Sequence, residues 1–163
     1  MATDINLAVE KFTEEIGWQF IGYESEIWGG DVHKMKRNYG LYCILANQKD
    51  DYEMIDENTT LSYIPIVEPR GIPADADKTE SYATRPFQKD PYDRWFPSWV
   101  TLKEILDYPY WNKYVLLRDH ASDQDGRRIT YAERCQEFLG NFVPKLLKLA
   151  DRPEYLRIIY YFD

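Results

Sequence analysis

Two short segments carry the side chains best suited to chemistry. In Glu68-Pro-Arg-Gly-Ile-Pro73, Gly71 permits a positive φ and the flanking prolines stiffen the turn. Arg70 is therefore presented in a fixed direction. In Asp93-Arg-Trp-Phe-Pro-Ser-Trp-Val-Thr101, Arg94, Trp95, Ser98 and Trp99 stand directly ahead of a helix start at Thr101. Free N–H groups and a positive dipole end favour anions there. Indoles stack bases, and a guanidinium takes a phosphate. Arg37 adds a third cation and Tyr39 a further ring. The expected ligand-binding set is Arg37, Tyr39, Arg70, Arg94, Trp95, Ser98, Trp99 and Thr101. The competing reading is structural: Trp95 and Trp99 anchor a long loop to the core.

Catalytic signatures are missing from the sequence. It has no Gly-rich phosphate loop, nucleophile elbow or zinc-protease helix motif. His33 and His120, the only histidines, lie in separate polar segments. The expectation is binding without turnover, with no catalytic residue, cofactor or metal.

A chain of 163 residues suits one domain with one hydrophobic core. The net charge of −8 excludes the broad basic face that a DNA or RNA duplex requires. The acid is uneven. Residues 47–93 hold 11 acids and 5 bases, net −6, against 17 and 15, net −2, elsewhere. Such a surface is a solvated loop face or a decoy for a basic partner. Aromatic residues reach 16%, a surplus that an oligomer interface can use. Cys43 and Cys135 have no metal-like spacing and read as buried thiols in a reducing compartment. Asp4 interrupts the first apolar residues and no run approaches a bilayer span, so a soluble, cytoplasmic protein is expected.

Ile5, Leu7 and Val9 alternate as a strand over 5–12, and 18–23 forms its hairpin partner. Asn38 caps a helix over 39–46, which Asn47 ends. Pro65, Pro69 and Pro73 keep 47–73 out of a central strand. Residues 74–93 read as loop, with a helical turn or two over 75–83. Thr101 and Glu104 form a capping box before a helix at 102–107, stopped by Pro109. Residues 113–117 fit a strand or a helix, and a turn follows at 123–127. A second box, Thr130 to Glu133, starts a long amphipathic helix through Ala150, kinked at Pro144. The apolar run at 155–162 reads as a central strand. The fold class is α+β: a small mixed or antiparallel sheet shared by the N- and C-terminal strands, helices on one face, and a long irregular acidic middle segment.

Asp4-Ile-Asn, Arg37-Asn-Tyr-Gly-Leu-Tyr-Cys-Ile-Leu-Ala-Asn47, Arg70-Gly-Ile-Pro73, Ser98-Trp-Val-Thr-Leu-Lys-Glu104 and the ending Arg157 to Asp163 together resemble a family of uncharacterised small proteins from bacteria and their viruses. That family's pattern runs Asp-Ile-His, Arg-Asn-Tyr-Asp-Leu-Phe-Ala-Ile-Leu-Ala, Arg-Gly-Leu-Pro and Asp-Gly-His-Ser-His-Ser-Trp-Leu-Thr. The resemblance implies a viral or mobile-element setting, where small acidic proteins antagonise host defence. The leading expectation is a protein that sequesters a small anionic, cyclic-nucleotide-like immune signal. The alternative is an acidic inhibitor that binds a basic host defence protein or nucleic-acid-binding enzyme directly. Asn6, Trp95 and Pro97 stand where the family has histidines. The expected outcome of elemental analysis is therefore no stoichiometric zinc, iron or manganese; finding one overturns it.

Overall fold

The computed structural model describes residues 5–29, 38–47, 53–54, 63–80, 82, 96–117 and 126–162. Strand β1 (Ile5–Thr13) turns back through β2 (Gly17–Tyr23) as an antiparallel hairpin. Gly17 opens β2 at φ +83°, a conformation that favours glycine. On its other side β1 pairs antiparallel with β7 (Leu156–Phe162), and β7 pairs with β4 (Ser98–Thr101). The sheet order is β2-β1-β7-β4. The C-terminal strand is thus internal and shares its sheet with the N-terminal one, as its apolar run predicts. Tyr155 belongs to a short 3-10 turn, Pro153–Tyr155, so the strand starts one residue late.

Side-chain alternation divides the sheet. Ile5, Leu7, Val9, Val100, Leu156, Ile158, Tyr160 and Phe162 belong to the main core with the helices. The helical layer contains α1 (Glu24–Trp28), α2 (Tyr39–Ala46) and α3 (Leu102–Asp107). Asn38 caps α2 by accepting from Leu41 N–H at 3.0 Å, and Asn47 ends it in the left-handed region. Tyr160 Oη donates to the Leu45 carbonyl at 2.9 Å, tying sheet to α2. Helix α1 has no counterpart in the sequence reading. A second small sheet joins β3 (Glu53–Met54), β5 (Tyr114–Leu117) and β6 (Arg128–Thr130). Residues 114–117 are therefore strand.

The long helix expected from Thr130 to Ala150 is broken. Thr130 caps α4 (Tyr131–Arg134), which stops at Cys135. A π-helical turn, Phe138–Phe142, leads into α5 (Val143–Leu147). Pro144 is the physical reason for the wide turn. It has no N–H to offer the Gly140 carbonyl, and Val143 N–H bonds instead to Phe138, five residues back. Phe138 and Phe142 both remain in the core at 0% exposure. Cys43 and Cys135 are buried and form no disulfide.

The opposite face of the sheet has a different cover. Residues 72–80 run over it as turns and bends, with no strand of their own. Ile72, Ala76 and Tyr82 pack there against Ala8 and Ile159. Helices on one face, as expected, are thus balanced by an irregular layer on the other. Asp123 to Asp125 and both histidines lie outside the described residues.

Phe142 stacks on Trp28, with ring centroids 5.6 Å apart. Phe142→Ala is expected to cost about 3–5 kcal/mol in urea unfolding. The half-exposed Leu147, changed to Ala, is expected to stay within about 0.5 kcal/mol. Equal effects would show that the π-helical turn does not organise the core.

Candidate functional site

The Arg70 turn forms as its sequence predicts. Gly71 takes φ +78°, and its N–H donates to the Pro97 carbonyl at 2.9 Å. Arg70 N–H donates to Ser98 Oγ at 3.1 Å. These bonds lay residues 70–71 along the outer edge of β4. The segment Ser98–Thr101 is thus an edge strand rather than the loop expected before a helix.

The guanidinium of Arg70 has three partners. Nε donates to the Trp99 carbonyl at 2.9 Å, and Nη2 donates to Glu104 Oε1 at 2.7 Å. Its central carbon lies 3.5 Å from the centroid of the Trp99 indole. Glu104 Oε1 also accepts from Thr101 N–H at 3.0 Å, while Thr101 Oγ1 accepts from Glu104 N–H at 3.1 Å. This is the expected capping box with Arg70 added to it. Burial pushes the Glu104 carboxyl up, but the bonds from Arg70 and Thr101 outweigh it and hold the group below its ordinary value.

Arg70, Ser98, Trp99 and Thr101 are therefore brought together, with their polar groups turned on one another. Arg37, Arg94 and Trp95 lie outside the described residues. Tyr39 opens α2 at the end that meets Tyr63 and Arg134 around Gly40. The other end of α2 is the one near the Arg70 turn, where Asn47 Nδ2 donates to Glu68 at 2.6 Å.

A second constellation behind Trp99 was not foreseen. Glu10 and Arg157 are 0% and 2% exposed on the irregular side of the sheet. Arg157 Nε donates to Glu10 Oε1 at 2.8 Å, and Nη1 donates to Asp75 Oδ1 at 2.9 Å. Glu10 Oε2 accepts from Asp77 N–H at 2.8 Å and from Tyr82 Oη at 2.6 Å. Burial, with Glu10 beside it, keeps the Tyr82 phenol far above its ordinary range. The Arg157 central carbon lies 4.0 Å from the Trp18 centroid and 5.3 Å from that of Trp99. Trp18, Arg157, Trp99 and Arg70 form an alternating series of indoles and guanidiniums across the strands. A signal was present in the sequence: Arg157 and Glu10 are charges of opposite sign in the two strands expected to share one sheet.

Beyond Trp18 the surface opens into a groove of about 560 Å³. Phe12, Ile16 and Trp18 line one wall, and residues 75–79 the other. Ile16 is 63% exposed and the Asp75 side chain 67% exposed. Glu14 and Glu15, in the same hairpin turn, are exposed as well.

No family model matches the chain, and neither the curated proteins nor the solved structures searched gave a match. Among the described residues no helix is long and apolar enough to cross a membrane.

Asp77 fixes this region to β2. Its Oδ2 accepts from Phe20 N–H at 2.9 Å, and its Oδ1 accepts from Thr79 N–H at 3.0 Å. The Phe20 bond first, and those of Thr79 next, hold its carboxyl below the ordinary 3.8. A lowered folded-state value gives stability that is present above the unfolded value and lost as pH falls through the folded one. The stability gap between the parent chain and Asp77→Asn is expected to be level from about pH 5 to 7 and to shrink below about pH 4. Urea midpoints across that range check it. A gap that stays level to about pH 2 contradicts the assignment.

Proposed function

We propose that the chain is a non-enzymatic binding protein that docks on a basic partner protein through the acid-rimmed groove beside Trp18. The observation that carries this reading is Ile16. It is the most exposed of the large hydrophobics among the described residues; the exposed Glu14 and Glu15 precede it in the same turn, and Asp75, Asp77 and one cation, Lys78, line the groove with it. An apolar centre with a charged rim is the anatomy of a transient interface. The chain's net charge of −8 speeds encounter with a cationic surface. In the viral setting suggested by the sequence resemblance, the partner is a host defence protein or a nucleic-acid-binding enzyme.

Sequestration of a small anionic, nucleotide-derived ligand is the second reading. It is favoured by one observation: the Arg70 side chain keeps 32% exposure and can exchange Glu104 for a phosphate. Against it stands the Trp99 indole, which already lies under Arg70. Calorimetric titration with cyclic dinucleotides tests this reading, with Arg70→Ala as the control.

The docking reading is tested with a purified basic host protein captured from lysate and then reconstituted. Binding is expected to weaken about tenfold or more between low and moderate salt. Ile16→Asp is expected to weaken it by a similar factor at constant salt. Affinity indifferent to both changes overturns the reading.

A further inference from the structure

Resting on the docking reading, we infer that the groove accepts an arginine side chain of the partner. The guanidinium stacks on the outer face of Trp18 and pairs with Asp75. Three observations converge on this occupant. Arg157, 2% exposed, lies 4.0 Å from the Trp18 centroid on the buried side of the ring. Trp18 is nevertheless partly exposed and lines the groove, with the Phe12 ring 5.4 Å from it and tilted by 57°. The indole–guanidinium series that runs from Arg70 through Trp99 and Arg157 thus ends on the indole that lines the groove.

Asp75 supplies the charge. Its Oδ1 accepts from Arg157 at 2.9 Å, while the carboxylate as a whole is 67% exposed. Asp75 also lines the groove. A planar cation suits this geometry: it stacks flat on the ring while its edge donates to the carboxylate. Lysine, a compact and strongly hydrated ammonium, stacks less well and offers no fork. Gly17 lines the groove too, with open space where a side chain would stand. Ile16 at the lip covers the aliphatic stem of the incoming residue.

The test uses the full chain, isotope-labelled, with three capped tripeptides as probes: Gly-Arg-Gly, Gly-Lys-Gly and Gly-citrulline-Gly. The arginine peptide is expected to shift the Trp18 indole N–H and the amides of Gly17, Gln19 and Asp75. The lysine peptide is expected to bind about three- to tenfold more weakly, and citrulline to leave these signals unmoved. Asp75→Asn keeps an acceptor for Arg157 and is expected to reduce arginine affinity about tenfold. Trp18→Phe keeps a ring over Arg157 and is expected to weaken binding by a smaller factor. Equal binding of arginine and lysine, shifts confined to other residues, or no shift at tens of millimolar peptide each overturn the inference. The two readings fail separately. If Ile16→Asp abolishes partner binding but the peptides show no arginine preference, docking stands and the arginine subsite falls. If the peptides behave as expected but the partner is indifferent to Ile16→Asp, the subsite stands and docking falls.

Discussion

The ion pair between Glu10 and Arg157 is the point at which the irregular half of the molecule is attached to the sheet. A buried pair of charges gives up its hydration and gains little unless every remaining lone pair and proton is met. Here one oxygen of Glu10 faces Arg157, and the other takes the amide of Asp77 and the hydroxyl of Tyr82. Those last two partners lie 67 and 72 residues along the chain. The turns and bends of residues 72–80 cannot satisfy their own backbone, so they borrow acceptors from the sheet beneath. Arg157 in turn draws in Asp75, Trp18 and Trp99. The groove wall at Asp75 to Asp77 and the packing of Trp18 follow from this one buried contact.

The same borrowing closes the sheet's edges. Along β4 the backbone of Arg70 and Gly71 bonds to Ser98 and Pro97. Along β2 the carboxylate of Asp77 takes Phe20 N–H, and that of Glu26 takes Tyr23 N–H at 3.2 Å. Carboxylates on an edge strand deter the pairing of another chain there. A partner therefore meets side chains, not an open ladder, and recognition is shifted to the groove at the hairpin end.

Most of the fold was legible because it follows local rules. Alternation at Ile5, Leu7 and Val9, the cap at Asn38 and the box at Thr101 each depend on near neighbours. The break at Pro144 was legible in kind, though its form was not: the wide turn that the missing Pro144 N–H allows also keeps Phe138 and Phe142 in the core. The candidate site was legible in part. Arg70, Ser98, Trp99 and Thr101 do converge, and long-range partners such as Glu104 and Arg157, which no local pattern reveals, complete the cluster from within. Strand β4 escaped notice since four residues between Pro97 and a helix carry no periodicity of their own. Its strand character comes from β7, which is contributed by the far end of the sequence.

That placement of β7 sets how the chain reaches its native state. The strand is paired on both sides, with β1 and with β4, and the Glu10–Arg157 contact spans 147 residues. Loop-closure entropy must be met before such a contact returns any stabilisation. The β1–β2 hairpin forms quickly by itself, but its apolar face waits for β7 before it can be covered. Non-local pairing of this kind slows the search for the native topology. The interval in which the hairpin is formed and the central strand is still absent is when the apolar faces of Ile5, Leu7 and Val9 are open to other chains, and it is the stage at which a cell's holding chaperones would have most to bind.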